Sequence, residues 1–291
     1  MIYYPQFNSI WCSNKAEKYK MSYMAMGNPL SSKILVCVHG LNRNNRDWDF
    51  IATQAVKSGY YVICPDIVGR GNSDYLVDYN NYQIPNYIED IKNLIVQLSL
   101  TNVDYVGTSL GGIIGMSIAA HYPRLLRSLV LNDIGAQIEI TGLQRIASYS
   151  AVAQEFDTFN EAKAGLISTS REFGYAMSDE LWSYISLNSY QKNNVGKWVL
   201  RRDANIAKAL VTSYSDANSL RDFATWGKVI TPTMVIRGEK SDILSQETVE
   251  KMKLSQPGLK LIEYPDCGHA PFLYTDSHWR DLLDFFTQVS K

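Results

Sequence analysis

Val103-Asp-Tyr-Val-Gly-Thr-Ser-Leu-Gly-Gly-Ile-Ile-Gly115 is the stretch on which the reading of this chain turns. Its first residues, 103–106, read as a short apolar strand. Gly107-Thr108-Ser109-Leu110-Gly111 then has to reverse direction within five residues. A run of small and apolar residues, 112–120, follows and reads as a buried helix. In so tight a strand-to-helix turn the serine backbone is strained, and glycines two before and two after it let neighbouring backbone approach without a Cβ in the way. Strand, Gly-x-Ser-x-Gly turn and helix together make the nucleophile-elbow signature. Ser109 is expected at the head of the helix, where free N–H groups and the positive end of the helix dipole face any negative charge that develops.

Outward from that stretch, strand-like and helix-like segments alternate. Residues up to about 30 read as strands with turns. The run Ile34–Val38 is apolar throughout, as suits a strand covered on both faces of a parallel sheet. A short helix after Trp48 stops at Gly59, and 60–64 is the next strand. Ile84, Ile88, Ile91, Leu94, Ile95 and Leu98 recur at helical spacing. Residues 128–131 form a strand after the elbow helix, closing at Asn132-Asp133-Ile134-Gly135. The alternation then breaks. Residues 136–225 show helical patterning only, with candidate helices at 144–159, after an N-cap at Ser178, and at 204–214. Many of the aromatics fall in this block, and we read it as an inserted helical cap whose rings are mostly its own core. Alternation resumes with a strand at 231–237, a helix at 245–253, a strand at 259–264 and an amphipathic terminal helix around Trp279, Leu282, Leu283 and Phe286. The expected fold class is α/β with a mostly parallel sheet, laid out as core (1–135), cap (136–225) and core (226–291).

Composition narrows the function classes. The 291 residues carry 28 Lys and Arg against 29 Asp and Glu, so no basic footprint for nucleic acid or anionic lipid is visible. Four cysteines, Cys12, Cys37, Cys64 and Cys267, lack metal-ligand spacing and fit reduced, buried thiols. No apolar run reaches the ~18 residues of a membrane span, and the N-terminal residues lack the pattern of a secretory signal. These features lead us to expect a soluble cytoplasmic protein that acts on a small molecule, and they leave monomer and homodimer open.

A serine hydroxyl needs a base within hydrogen-bond reach, and that base needs an orienting carboxylate. Of four histidines, His269, in Cys267-Gly-His-Ala-Pro271 after the last strand, is the candidate base. His39 precedes Gly40 at a strand end and is expected to shape its loop. His121 reads as structural at a helix end, and His278 as a surface or packing residue of the terminal helix. Asp242, in the loop after the penultimate strand, is the favoured acid; Asp133 and, more weakly, Glu239 are its rivals. A developing oxyanion requires two convergent N–H donors, and the backbones of Leu110 and Leu41 are placed to supply them. Asp66 and Arg70 are expected to lock their loop, as a pair.

With the elbow, His39-Gly40, Asp66…Gly69-Arg-Gly-Asn-Ser73, Gly238…Asp242 and Gly268-His269 in place, the chain resembles the α/β-hydrolase superfamily over nearly its whole length. More narrowly it is similar to capped bacterial esterases, enol-lactonases and meta-cleavage C–C hydrolases. The resemblance implies an eight-stranded-type sheet, no cofactor and no metal. It also implies a catalytic triad in the chain order Ser, acid, His, carried onto Ser109, Asp242 and His269. Dehalogenases and epoxide hydrolases of this fold place an aspartate at the elbow, which Ser109 argues against. Several C–C hydrolases have Trp after the catalytic histidine, where this chain has Ala270-Pro271. The leading expectation is a serine carboxylesterase for a small or medium ester, lactone or thioester. A C–C hydrolase would need cap cations such as Arg171, Arg201 or Arg202 for a substrate carboxylate. A non-catalytic small-molecule receptor on the same fold is the third reading.

Overall fold

In the computed structural model, residues 4–152, 154–170, 177–213 and 220–289 are described. Strands β1 (Gln6–Ser13) and β2 (Lys18–Met26) form an antiparallel hairpin. Then come β3 (Ile34–Val38), α1 (Asp49–Lys57), β4 (Tyr61–Pro65), α2 (Ile84–Gln97), β5 (Val103–Thr108), α3 (Leu110–His121) and β6 (Leu126–Asn132). After a long insertion the pattern continues with β9 (Thr233–Gly238), α9 (Gln246–Ser255), β10 (Lys260–Tyr264) and α10 (Asp276–Val289). The insertion itself holds α4 (Ile140–Ser150), α5 (Phe159–Ser170), α6 (Asp179–Ser189), the strands β7 (Tyr190–Lys192) and β8 (Trp198–Leu200), α7 (Ile206–Ser213) and the single turn α8 (Phe223–Trp226).

The main sheet has eight strands in the order β1-β2-β4-β3-β5-β6-β9-β10. Pairing is parallel from β4 to β10, and β2 pairs antiparallel with both its neighbours. The five residues of β3 are all buried because helices cover both faces of the sheet centre. On one face α2 and α3 pack Ile91, Leu94, Ile114 and Ile118 onto β5. On the other, α1 and α10 pack Ile51, Trp279, Leu282 and Phe286 onto β3 and β4. The helices begin where capping chemistry lets them: Pro85 sits in the first turn of α2, and the Ser245 hydroxyl accepts from Thr248 N–H at the head of α9. All four cysteines are buried free thiols. Among the described residues no helix is long and apolar enough to cross a membrane.

The insertion departs from the expectation of helices alone. Tyr190–Lys192 and Trp198–Leu200 form a small antiparallel ladder around a turn at Gly196, whose φ is 83°. The helix expected at 144–159 is also displaced. One helix ends at Ser150 and the next begins at Phe159. Between them Phe156 exchanges both backbone hydrogen bonds with Trp198, at 3.0 and 2.8 Å, so this stretch is drawn into the hairpin. Local helix propensity yields to that tertiary pairing and to ring packing of Phe156 on Tyr190. Ser178 caps α6 by accepting from Leu181 N–H. Tyr214, Tyr175 and Arg171 lie outside the described residues.

Candidate active site

The elbow is built by close approach. Ser109 has φ 52° and ψ −115°, a conformation unfavourable for a residue with a Cβ. A Cβ on Gly107 would lie 2.3 Å from the Gly111 backbone, and one on Gly111 would lie 2.2 Å from the Val38 carbonyl oxygen. Both glycines are therefore required by contact as well as by the turn. The strain is held from several sides: Ser109 N–H donates to the Asn132 carbonyl at 3.0 Å, and the buried Tyr105 hydroxyl donates to the Gly111 carbonyl at 2.7 Å.

Ser109, His269 and a carboxylate meet past the carboxyl ends of the strands, where open α/β sheets place their ligands. His269 Nε2 lies 3.0 Å from Ser109 Oγ, and His269 Nδ1 lies 2.8 Å from Asp133 Oδ2. An ionised carboxylate only accepts, so Nδ1 carries the ring proton and Nε2 is left to accept from the serine hydroxyl. His269 is 7% exposed and Asp133 is fully buried.

The carboxylate on the histidine is thus that of Asp133, which corrects the expectation of Asp242. Asp133 follows β6 directly, with φ 56°, and its side chain also accepts from Gly238 N–H at 2.8 Å and the Ser241 hydroxyl at 2.6 Å. Three donors converge on a carboxyl group that water does not reach, so its oxygens are satisfied although it is buried. Asp242 instead holds Arg145 in a two-point fork at 2.6 and 2.7 Å, with its side chain 31% exposed. Partial burial would raise its pKa, but the Arg145 hydrogen bonds and charge hold it below the usual carboxylate range. Glu239 is exposed and accepts from Asp266 N–H. In the structure Asp133 directly follows the strand beside the elbow strand, whereas Asp242 lies four residues beyond the end of β9.

Asn132, in the sequence only part of a strand closure, has an Nδ2 that donates both to Thr108 Oγ1 and to the Pro271 carbonyl, each at 2.9 Å. It ties the elbow strand to the loop that carries His269. The Leu41 loop is fixed by two buried groups. His39 Nδ1–H donates to the Gly40 carbonyl at 2.7 Å while its Nε2 accepts from Ile67 N–H at 3.0 Å. Burial, reinforced by Arg70 and Arg43 and only partly offset by the Gly40 bond, drives its pKa down to about 3, so the ring is neutral. Arg70 Nε donates to the Leu41 carbonyl at 3.0 Å, and its Nη1 to the Val68 carbonyl and the Tyr87 hydroxyl. Asp66 does not pair with Arg70; it accepts from the N–H groups of Asn45 and Asn72. The loop is locked, but through backbone groups, because each of the two side chains finds nearer partners than the other. No hydrogen bond among the described residues takes up the N–H of Leu41 or of Leu110. His121 Nδ1 bonds the Ser117 carbonyl in α3, and His278 is buried, accepting from Tyr274 and Thr275 N–H.

Two hollows open at Ser109. One, about 120 Å³, is bordered by His269, Tyr149, Tyr190, Phe272 and Arg202. The other, about 60 Å³, is bordered by Leu110, Ile113, Ile134, Leu143 and Ile206. Arg202 therefore reaches the site; Arg201 donates instead to the Asn72 side chain on the outer face. Among the described residues no group of three or more His, Cys, Asp or Glu is arranged to hold a metal ion.

A mostly parallel eight-stranded sheet with a serine at a strained elbow and a histidine and an aspartate behind it defines a class. The chain belongs to the alpha/beta hydrolase fold family, whose model matches residues 33–276. It is a hydrolase by the company it keeps. It is 35% identical to a 3-hydroxybutyrate-oligomer hydrolase of Cupriavidus necator over 97% of this chain and 98% of that protein. It is 27% identical to lipase 1 of Psychrobacter immobilis over 87% of this chain and 76% of that one. Among solved structures, a protein of Rickettsia typhi superimposes with a TM-score of 0.90 at 32% identity, over 97% of this chain and 99% of the other.

Proposed function

We propose that this hydrolase is a serine carboxylesterase, that it works through an acyl-enzyme on Ser109, and that its substrates are short linear esters of the 3-hydroxybutyrate-oligomer kind. The observation that carries the reading is the unbroken hydrogen-bond relay Ser109–His269–Asp133, at 3.0 and 2.8 Å, opening onto a mostly apolar hollow and a larger one that Arg202 borders. Ser109 Oγ attacks the ester carbonyl as His269 Nε2 takes its proton. Asp133 holds the imidazole in the Nδ1–H tautomer and stabilises the imidazolium. The N–H groups of Leu110 and Leu41 receive the oxyanion, each worth about 3 kcal/mol in such sites. His269 then hands the proton to the leaving alcohol, and a water activated by the same ring releases the acid.

Support for the substrate class comes from the 35% identity, spread over both chains almost end to end. Incubation with p-nitrophenyl butyrate, with the linear dimer of 3-hydroxybutyrate and with a fluorophosphonate probe tests it. Turnover of both esters and a probe adduct on Ser109 are expected; no turnover and no adduct would end the proposal. Cleavage of a C–C bond could use the same three side chains, and the Arg202 cation bordering the hollow suits a carboxylate there too. A coloured ring-fission substrate turned over faster than any ester would replace the ester reading.

A further inference from the structure

Arg202 sits oddly for a buried cation. It is 8% exposed, and its two described hydrogen bonds run from Nη2 to the Ser150 carbonyl at 2.7 Å and from Nη1 to the Asp203 carbonyl at 3.3 Å. Both partners are neutral. Nε has no partner, and Arg202 makes no ion pair among the described residues. The charged and titratable groups that face it include Arg70, Asp203, Tyr149, Tyr75 and Tyr190. The Asp203 carboxylate is occupied by the Tyr82 hydroxyl and Asn205 N–H, each at 2.8 Å. Arg70 is itself fully buried and likewise keeps one nitrogen, Nη2, unpartnered. Two buried guanidinium groups thus face one carboxylate, and burial followed by Arg70 pushes the pKa of Arg202 down to about 10, leaving it charged at neutral pH. Burying such a charge without an anion of its own is unfavourable.

Its position is not left to chance. Arg202 bridges to Arg70, Gly71 N–H donates to the Arg201 carbonyl, and Asp203 N–H donates to the Gly69 carbonyl, both at 2.8 Å. The inserted strap is therefore stitched to a loop of the sheet domain on both sides of Arg202. The other arginine bordering this hollow, Arg43, is spent on Asp47 through two hydrogen bonds.

We infer that Arg202 receives a carboxylate of the substrate, on the leaving-group side of the scissile bond, so that the alcohol released is itself a short hydroxy acid. This deepens the proposed function and rests on it. The orientation follows from the two hollows. His269 and Arg202 border the larger one, and the ring that protonates the leaving oxygen faces it. The smaller one is bordered by Leu110, other aliphatic side chains and the rings of Tyr82 and Tyr87, with neither His269 nor a charged group, and suits the acyl part. The reaction is acyl–O–R–COO⁻ plus water giving the acid and HO–R–COO⁻, with the acyl–oxygen bond broken and one proton passing through His269 in each half-reaction, from Ser109 to the leaving alcohol and then from water back to Ser109. An oligomer would thus be cut at the ester nearest its free carboxylate.

The test compares kcat/KM for the linear 3-hydroxybutyrate dimer and for the same dimer with its carboxylate converted to the primary amide. Wild type should prefer the acid by at least about tenfold, mainly through KM. In R202M the acid-to-amide ratio should fall by about tenfold or more, to near one or below, as expected when one partner of a buried charge contact is removed; R202K should retain part of it. A structural role alone would lower both substrates together and leave the ratio where it was. Monomethyl succinate, with its charge on the acyl side, should gain nothing from Arg202. A wild-type ratio near one, which needs no variant to fold, overturns the inference, as does an unchanged ratio in R202M. If wild type also fails on p-nitrophenyl butyrate and takes up no fluorophosphonate, the esterase reading itself has failed, which is a separate outcome.

Discussion

Replacing Asp133 with Asn is the substitution whose consequence can be worked most fully from the geometry. Asp133 now accepts from three donors: His269 Nδ1–H, Gly238 N–H and the Ser241 hydroxyl. Asn keeps a single acceptor oxygen and gains an NH₂. If the oxygen stays on Gly238 N–H, the NH₂ faces His269 Nδ1, which must then accept, and the ring proton moves to Nε2. That puts a donor 3.0 Å from Ser109 Oγ where an acceptor is required. In a relay of this kind the wrong tautomer costs about 10⁴ in rate, which is about 5.4 kcal/mol of barrier. Asp242→Asn breaks only a fork between partly exposed partners, with side chains 24% and 31% accessible, an arrangement worth about 1 kcal/mol or less. Its removal should change kcat/KM by less than about fivefold. The assay is kcat/KM on p-nitrophenyl butyrate for both variants, alongside thermal melting to confirm that each is folded. An Asp133→Asn enzyme within tenfold of wild type, or an Asp242→Asn enzyme as crippled as Asp133→Asn, would refute the assignment of the acid.

Other outcomes follow from the same structure. Ser109→Ala should abolish both ester turnover and the fluorophosphonate mass shift while leaving the melting temperature within a few degrees, since Ala keeps the Cβ already accommodated there. Gly111→Ala would bring a Cβ within 2.2 Å of the Val38 carbonyl oxygen; urea titration should show a loss of about 3 kcal/mol or more, because backbone cannot step aside as a side chain can. Asp90, buried and hydrogen-bonded by the Tyr19 hydroxyl, has its pKa raised to about 7, chiefly by burial. The folded state then holds a proton that the unfolded state has released, so this group's contribution to stability declines as pH rises from about 4 to about 7, by up to ~1.4 kcal/mol per pH unit. Asp90→Asn should flatten that part of the stability–pH curve relative to wild type, as read by urea midpoints; an unchanged slope would mean the carboxyl is ionised throughout.

Periodicity and turn chemistry were enough to read the alternation of strands and helices, because central strands such as β3 and β4 are apolar runs closed by Gly or Pro-Asp and helices such as α2 and α10 carry one apolar face. The elbow was legible because its demand is local: no residue but glycine tolerates the contacts at 107 and 111. The β7–β8 hairpin was not, since three-residue strands carry too little pattern and their pairing with Phe156 is a long-range event. Which carboxylate meets the histidine is visible only in three dimensions. Asp133 and Asp242 both lie between Ser109 and His269 along the chain, and both follow strands, so order and spacing cannot separate them. What separates them is solvent and competition. One carboxylate is sealed among the three donors that the folded sheet converges on it, while the other sits at the rim, where Arg145, brought in by the inserted segment, reaches it first.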